Sequence, residues 1–484
     1  MVLFGGWTPA DEPPAVLHDA TELSFWDHFI AFYSRGRGNQ PLERIAELAR
    51  EHSVRSVVIE PRYIDVDWRS EHSEFYSTTF RRYASVCHRA HFFTGPVDPE
   101  FHSFSQDEYI GYTILRPLPS MPVSRTMIKP PPPLSASTAC AGAETVDLLG
   151  HPLAIEAMPF ISQDGQYLRC AHAAIWMALQ LSHLRGATPR RIPEEIHECS
   201  TGGVVINRQI PSEGLTVHQM LAGMNKLGLS PAQLPLPLDR SASEQADYLG
   251  LYDIMCRHIN SNLPPIVISN NHAWLVVAYQ WSKSSGHDRL TLFRHDDAKG
   301  PYIRVDNPWQ EQSPSHQPWK AALLPLPPKI YMTAERAELI GRWWFQQHIA
   351  SDPSSPLAEA ESRNELRYRV YGLRGRDYKQ GLKLRPNLDP LLAHQYRLAV
   401  WPRNIWVVEA LDRSRRENGE PPVLGEVILD PTANHEPTAD DPGILSTHAN
   451  GHLEWVTPDC ALARSATVGS APYESGCAAL NGEL

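Results

Sequence analysis

Residues 163–184 read QDGQYLRCAHAAIWMALQLSHL, a short polar turn followed by an apolar run. The residues QDGQ predict a turn, and the alanine-rich run that begins at Cys170 predicts a helix. Cys170 would then lie at the helix N-terminus, where the helix dipole and the free backbone N–H groups favour the reactive thiolate. A cysteine on such a helix is also commonly a small core residue. Cys170 alone therefore leaves both interpretations open.

His272 lies at the start of the apolar strand that NNHAWLVVAY predicts for residues 270–279. The polar Asn-Asn-His entry places the imidazole at the rim of a sheet, where a base can face a thiol carried by a helix. A thiol hydrolase needs such a base to pair with the thiolate and then to protonate the leaving group. Because the chain has 22 histidines, a purely structural histidine is the competing interpretation.

A carboxylate partner for His272 is predicted from hairpin geometry. The polar turn WSKSSGHD joins two predicted strands, and pairing them about its centre brings positions 296 and 297 opposite His272. We expect Asp296 to orient the imidazole because it directly follows the apolar strand positions, although a one-residue slip in register exchanges it for Asp297. The alternatives are a solvated HDD turn and the segment VDNPW, in which Asp306 or Asn307 takes this role.

Acyl transfer also requires hydrogen-bond donors for an oxyanion. The backbone N–H of Cys170 is one donor by position, and a side-chain amide just upstream is the other. Gln163 and Gln166 are the candidates. We favour Gln163, which begins the turn seven residues before the cysteine.

The order of elements between residues 144 and 330 predicts an α+β fold. Helices in CAHAAIWMALQLSHL, TVHQMLAGMNKLG and QADYLGLYDIMCRHINS precede strands in PPIVISNNHAWLVVAY, DRLTLFRH and PYIRV. Helices followed by an antiparallel sheet are typical of α+β rather than of alternating α/β proteins. In the second helix, Thr216 and Gln219 have the spacing of a capping box, and Gly228 is placed to end it.

Two proline-containing stretches suggest domain boundaries. KPPPPLSASTACAGA, at 129–143, predicts a linker or a long surface loop, and SDPSSPLAEAES predicts a second linker. The segment QYRLAVW is among the strands predicted near the C-terminus, and the last ~30 residues look weakly structured. The predicted regions are 1–130, a mixed α/β region; 144–330, the domain with the thiol; and 331–484, a helix followed by a β-rich domain.

The order of these features resembles that of papain-like cysteine peptidases. It comprises Gln163, Cys170 opening a helix, the G-L-T-x-x-Q-M stretch of Gly214–Met220, His272 opening a strand, and Asp296 after the next strand. The chain is most similar to the branch that includes the bacteriocin-leader peptidases of bacterial export transporters. The resemblance covers roughly residues 155–310, about a third of the chain, and its motifs are short.

Members of that branch usually have a glycine shortly after the nucleophile and a glutamine six residues before it. Here Ala171 and His172 follow the cysteine, and position 164 is Asp. The resemblance implies a papain-like central domain, with a helix-borne cysteine packed on an antiparallel sheet. It implies hydrolysis of a peptide or isopeptide bond of a protein substrate through an acyl-enzyme. The alternatives are a papain-like binding or assembly module with altered activity, and a thiol acyltransferase or transglutaminase.

Composition narrows the environment and the partners. The formal net charge is -11 and no dense Lys/Arg tract occurs, so nucleic acid is a poor candidate partner. No stretch approaches the ~20 apolar residues of a membrane span, and no signal peptide is recognisable. The seven cysteines are an odd number, scattered and without a close CxxC pair, which favours a reducing cytoplasm. A bacterial type of protein is what the resemblance implies.

Other motifs carry little functional weight. His448 and His452 have i, i+4 spacing, but Asn450-Gly451 between them favours a turn over a zinc-binding helix. His295 beside two aspartates is a comparable candidate ligand, and surface loops are the expected setting for all of these histidines. Since nucleotide-binding glycine motifs are also missing from the sequence, we predict no metal site and no cofactor.

Overall fold

The computed structural model describes residues 13–134, 138–202, 214–235, 255–269, 271–284, 287–305, 319–385, 387–433, 443–457 and 464–476. The chain forms two compact units, one of residues 1–240 and 263–328, the other of residues 241–262 and 329–484. Both units combine helices with antiparallel sheets, which is compatible with the predicted α+β class. The predicted regions 1–130 and 144–330 thus belong to one unit, apart from residues 241–262.

The first part of this unit is a five-stranded antiparallel sheet with its strands in chain order. Its strands are β1 (Val16–Asp19), β2 (Ser56–Tyr63), β3 (Cys87–Phe93), β4 (Tyr109–Leu115) and β5 (Val123–Ile128). Three helices accompany the strands: α1 (Leu23–Ser34), α2 (Gln40–Glu51) and α3 (Val66–Glu74). The helix α2 begins where the Asn39 side chain accepts the Leu42 N–H, and it buries its apolar side.

The proline-rich stretch that predicts a linker is instead packed into this unit. Leu134 and Cys140 are buried, and the strand β6 (Thr138–Ala139) pairs with a strand of the second sheet. A two-stranded hairpin of β7 (Gly142–Leu148) and β8 (His151–Ala157) follows directly. The expectation of a solvated connection is wrong there because interspersed apolar residues find buried positions.

The second part of the unit places helices before a seven-stranded antiparallel sheet. The helices are α4 (Cys170–Leu184), α5 (Pro193–Thr201) and α6 (Val217–Lys226). The strands are β9 (Ala232–Pro235), β10 (Ile266–Ile268), β11 (Ala273–Ser284), β12 (His287–Asp296), β13 (Gly300–Val305) and β14 (Ala321–Leu324). The sheet order is β13-β12-β11-β10-β14-β9, with β6 also beside β11, and α4 packs against β11.

The predicted ends of α6 are confirmed. Thr216 and Gln219 form the capping box, and Gly228 ends the helix with a φ of +101°. The run PPIVISNNHAWLVVAY, in contrast, is not one continuous strand. It folds into β10 and β11, which pair antiparallel on either side of a short connection that ends at His272. This reversal places His272 at the end of the sheet, directly before the first residue of β11.

The second unit contains a six-stranded antiparallel sheet in chain order. Its strands are β15 (Leu366–Arg374), β16 (Asn404–Asp412), β17 (Val423–Leu429), β18 (Ile444–Ala449), β19 (His452–Trp455) and β20 (Arg464–Thr467). Its helices are α7 (Ala334–Ser351), α8 (Pro356–Ser362), α9 (Gly375–Gly381), α10 (Pro390–Leu398) and α11 (Arg413–Glu417). In the described part of the chain, no helix is both long and apolar enough to cross a bilayer.

Three expectations for this unit are wrong. The predicted linker SDPSSPLAEAES contains α8, whose first turn is capped by the Ser355 side chain. The predicted strand QYRLAVW begins inside α10, because Asp389 caps that helix and Pro390 suits its first position. Near the C-terminus, β20 completes the sheet and Tyr473 is buried, so this part of the tail is more ordered than expected.

Candidate functional site

Cys170 is the first residue of α4, as the sequence predicts. The preceding residue, Arg169, is extended, and the helix buries its following residues from Ala171 to Leu181. Cys170 itself is only partly buried, whereas Cys87, Cys140 and Cys256 are fully buried. The structure therefore does not place Cys170 as a small core residue. Its thiol lies at an accessible helix N-terminus.

The turn before Cys170 is built around the buried side chain of Asp164. One of its carboxylate oxygens accepts the backbone N–H groups of Gln166, Tyr167 and Leu168, each at 2.8 Å. The other oxygen accepts the Tyr76 hydroxyl at 3.0 Å. Because both oxygens of Asp164 act as acceptors, this residue is not a donor for an oxyanion. Its chemistry fixes the shape of the turn instead.

Arg116 fixes the same turn through hydrogen bonds to its backbone carbonyl groups. This fully buried guanidinium donates through Nη2 to the carbonyl oxygens of Ser162 and Gln163, both at 2.8 Å. Its Nη1 forms a bidentate contact with Glu71 at 3.1 and 2.8 Å. Burial raises the pKa of Glu71 to about 8, although the charge of Arg116 opposes that shift. The sequence contains no local motif that marks Arg116 or Glu71, because they act on residues ~50 to 90 positions away.

His272 lies just before the first residue of β11, and its imidazole contacts the other proposed site residues. Its backbone carbonyl accepts the Ser269 N–H at 2.9 Å, which closes the connection between β10 and β11. Its Nε2 lies 3.0 Å from Asp296 Oδ1. Cys170 is near enough to the imidazole that a hydrogen bond between them helps to raise the pKa of His272. Because Nε2 faces Asp296, Nδ1 is the nitrogen left for the thiol. The predicted residues Cys170, His272 and Asp296 are thus brought together in one chain of contacts.

The electrostatic environment favours a protonated His272. Burial alone would lower the pKa of His272, but the hydrogen bonds with Asp296 and Cys170 and the charges of Asp296 and Asp297 outweigh it and raise it to about 10. Burial likewise opposes ionisation of Asp296, yet His272 and Arg294 hold its pKa below the usual value. The pair therefore behaves as an imidazolium with a carboxylate.

Asp296 reaches His272 although the hairpin register differs from the predicted one. Ser284 pairs with His287, so the hairpin is centred one residue later than the middle of WSKSSGHD, and a bulge follows at Val277. Three residues beyond the Leu275–His295 pair, His272 would lie opposite residue 298 rather than 296 or 297. The aspartate therefore approaches the imidazole diagonally.

Asp297 lies beside this pair. Its Oδ1 is 3.7 Å from His272 Nε2, against 3.0 Å for Asp296, so the hydrogen bond belongs to Asp296. Burial is the main cause that raises the pKa of Asp297, to about 7. His272, Asp296 and Asp297 each offer a ligand atom, all within 4.8 Å of one another, and in the described ranges they are the group that could hold a metal ion.

The two candidate amide donors differ in exposure. Gln163 is partly buried and its carbonyl is fixed by Arg116, whereas Gln166 is exposed. Both stand in the turn that Asp164 shapes, which leaves Gln163 as the better held of the two. The rival triad members Asp306 and Asn307 lie outside the described residues.

The surface-loop expectation is wrong for His295 and His448, which are buried. His172, two residues after the cysteine, is also fully buried, and its Nε2 lies 3.3 Å from His197 Nδ1. His295 points to the Pro159 carbonyl, so it does not belong to the group around His272. His448 contacts the Tyr473 hydroxyl. The two-residue turn Asn450-Gly451 joins Ala449 to His452, as this pair predicts.

Comparison with known proteins adds no family to this description. Neither a scan against protein-family models nor a search among curated proteins found a match.

Proposed function

We propose that the protein is a papain-like cysteine hydrolase that cleaves a peptide or isopeptide bond of a protein substrate through an acyl-enzyme on Cys170. The observation that carries the proposal is the continuous chain of contacts from the Cys170 thiol through His272 to Asp296. A nucleophile, a base and a group that orients the base are the parts that this chemistry needs. The partial exposure of Cys170 and His272 gives a substrate access.

In the proposed reaction, His272 Nδ1 holds the proton of Cys170, and the thiolate attacks the carbonyl carbon of the scissile bond. The backbone N–H of Cys170 and the Gln163 amide donate to the resulting oxyanion. His272 then passes its proton to the leaving amine as the carbon–nitrogen bond breaks, which leaves a thioester on Cys170. Water, deprotonated by His272, attacks the thioester and releases the acid and the thiol. Asp296 keeps Nε2 protonated throughout.

The packing of one helix on the sheet supports the papain-like assignment. The proposed nucleophile begins the helix α4, and that helix packs on β11, whose first residue follows the proposed base. Reduced thiols at Cys87, Cys140, Cys170, Cys199 and Cys256 also support a reducing compartment such as the cytoplasm. In this proposal the N-terminal sheet and the C-terminal unit contribute to the selection of a protein substrate or partner.

Alkylation of the purified protein with limiting iodoacetamide at neutral pH, followed by peptide mass spectrometry, tests the proposal. We expect Cys170 to react first, and His272→Ala to slow its reaction by about tenfold or more because the thiolate loses its counter-ion. Cys199, which is also partly buried, provides the matched control: Cys199→Ala should leave the labelling of Cys170 unchanged. Equal labelling of Cys170 with and without His272 would count against the proposal.

Product analysis separates hydrolysis from the other uses of the same fold. Peptide and isopeptide libraries, incubated with the wild type and with Cys170→Ala, should yield free acids only in the first case. An added primary amine that appears in the product would identify an acyltransferase. A reactive Cys170 that gives no turnover of any library would favour a binding or assembly module.

A further inference from the structure

Asp297 is the part of the site that the proposed reaction does not use. Its side chain is 1% exposed, and neither of its oxygens has a hydrogen-bond partner among the described residues. Its Oδ1 nevertheless points into the site, 3.7 Å from His272 Nε2. A buried carboxylate without a partner is costly, so this position calls for a proton or a cation.

The two carboxylates differ in their cationic neighbours. Arg294 Nε lies 3.5 Å from Asp296 Oδ2. Within the part of the chain that the structure describes, Asp297 pairs with His272 alone, at 3.7 Å. Asp297 is therefore the carboxylate that lacks a lysine or arginine partner among those residues.

The separations between the polar atoms suit one small ion. His272 Nε2 lies 3.0 Å from Asp296 Oδ1 and 3.7 Å from Asp297 Oδ1, and all three ligand atoms lie within 4.8 Å of one another. A tetrahedral Zn²⁺ with bonds of ~2.1 Å to nitrogen and oxygen ligands separates those ligands by ~3.4 Å. Small movements of the side chains would therefore bring all three atoms to bonding distance.

We propose that His272 Nε2, Asp296 and Asp297 form a binding site for a divalent transition-metal cation, with Zn²⁺ as its best-fitting member. One imidazole nitrogen and two carboxylates are ligands that such cations accept, and the imidazole favours them over Mg²⁺ or Ca²⁺. The thiol of Cys170 is not among the clustered ligand atoms, which come from His272, Asp296 and Asp297.

Metal binding would inhibit acyl transfer by Cys170. This consequence rests on the proposed function. Coordination uses the lone pair of Nε2, so an imidazolium must release one proton to solvent when the cation binds. The remaining proton of the neutral ring then lies on Nδ1, where the proposed reaction already places the proton of Cys170. A neutral ring passes that proton to the leaving amine less readily than an imidazolium does, so the cation slows acyl transfer without touching the sulfur.

Isothermal titration of chelator-treated full-length protein with ZnCl₂ at pH 7.5 tests the site. We expect Cys170→Ala to bind one Zn²⁺ with an affinity close to that of the wild type, and Asp297→Asn to bind at least tenfold more weakly. The matched control is His102→Ala, because His102 also lies beside two acids, Asp98 and Glu100, but on the surface. This control should bind like the wild type.

Two results would overturn the metal site: no saturable binding to Cys170→Ala, or wild-type affinity in Asp297→Asn that is correctly folded by circular dichroism. Hydrolysis by Zn²⁺-loaded Cys170→Ala would instead overturn the inhibitory role and make the metal catalytic. Turnover of the peptide and isopeptide libraries by the wild type with and without Zn²⁺ tests the inhibition separately, and we expect at least a tenfold slowing. If Cys170 is unreactive even without metal while Zn²⁺ still binds, the proposed function fails and the metal site stands.

Discussion

The imidazole of His272 is joined to Asp296 by a hydrogen bond of 3.0 Å between Nε2 and Oδ1, and the interaction of the same imidazole with Cys170 helps to raise its pKa. Asp297, the next residue, approaches the same nitrogen only to 3.7 Å. The two neighbouring carboxylates therefore have different relations to the proposed base.

Replacement of Asp296 should affect the thiol more than replacement of Asp297. Asp296→Asn removes the charge that stabilises the imidazolium, so we expect the alkylation of Cys170 by iodoacetamide to slow by about tenfold or more. Asp297→Asn should change that rate by no more than about threefold. Stopped reactions at pH 7, analysed by mass spectrometry, give both rates. The opposite ranking would assign the orienting role to Asp297.

Gln163 should contribute to turnover without affecting the reactivity of the thiol. An oxyanion donor acts only on the tetrahedral intermediate, so we expect Gln163→Ala to lower kcat by about 10²- to 10³-fold. Its alkylation rate should stay within about threefold of the wild type. Gln166→Ala, three residues away and exposed, is the control with unchanged kcat. Loss of kcat in the control alone would exchange the two roles.

The turn before Cys170 should depend on Asp164 for its stability. Asp164→Ala leaves the N–H groups of Gln166, Tyr167 and Leu168 without their acceptor, and we expect a loss of about 2–4 kcal/mol in the free energy of unfolding. Tyr76→Phe removes one hydrogen bond to the same carboxylate and should cost about 1 kcal/mol. Urea denaturation measures both, and equal effects would show that the backbone contacts contribute little.

The pair of Arg116 and Glu71 offers a test by double substitution. Arg116→Met leaves Glu71 buried without its cation, so the free energy of unfolding should fall by about 3–5 kcal/mol. Adding Glu71→Leu removes the buried carboxyl group that has lost its partner, and the double variant should be more stable than Arg116→Met alone. Chemical denaturation of the three proteins checks this order. If the second substitution causes a further loss, the pair is not the source of the effect.

His172 should make the fold sensitive to acid. Burial, followed by the charges of His197 and Arg169, lowers the pKa of His172 to about 3, while the unfolded chain keeps a value near 6.5. Between these values the unfolded chain binds the proton and the native state does not. Stability is therefore present above about pH 6.5 and is lost as the pH falls toward 3, by up to about 1.4 kcal/mol per pH unit.

His172→Gln should reduce that loss. We expect the variant to be less stable than the wild type at pH 7.5, because it forfeits packing against His197, but to lose about 1–2 kcal/mol less on transfer to pH 5. Urea titrations at the two pH values provide the comparison. Parallel losses in both proteins would assign the acid sensitivity to other groups.

Local sequence patterns predict the parts of the site that depend on short-range structure. The turn–helix boundary at Cys170 and the strand start after His272 are both found, and the capping box of α6 is confirmed. The hairpin register is not predicted to one residue, because the strands pair about a centre one residue later than the middle of WSKSSGHD, and the bulge at Val277 corrects only part of that difference. Asp296 still reaches His272 because a side chain can span a diagonal displacement.

Long-range contacts are what the sequence does not reveal. Arg116 and Glu71 carry no motif, yet they fix the turn before Cys170 across 45 and more positions. The sequence QYRLAVW alternates like a strand, but the Asp389 cap and Pro390 start a helix upstream that continues into it. Tertiary burial of the proline-rich stretch likewise outweighs its local preference for a solvated conformation.

The hydrogen bonds from Tyr76 and Arg116 to the turn before Cys170 limit which segments of this protein can be exchanged by recombination during evolution. A recombination event that transfers residues 144–330 to another chain would leave the turn without two of its anchors. The carbonyl oxygens of Ser162 and Gln163 and the carboxylate of Asp164 would then lose buried partners, and the inserted segment would need replacements for them. The N-terminal sheet and the thiol-bearing segment are therefore expected to be inherited together, as one module.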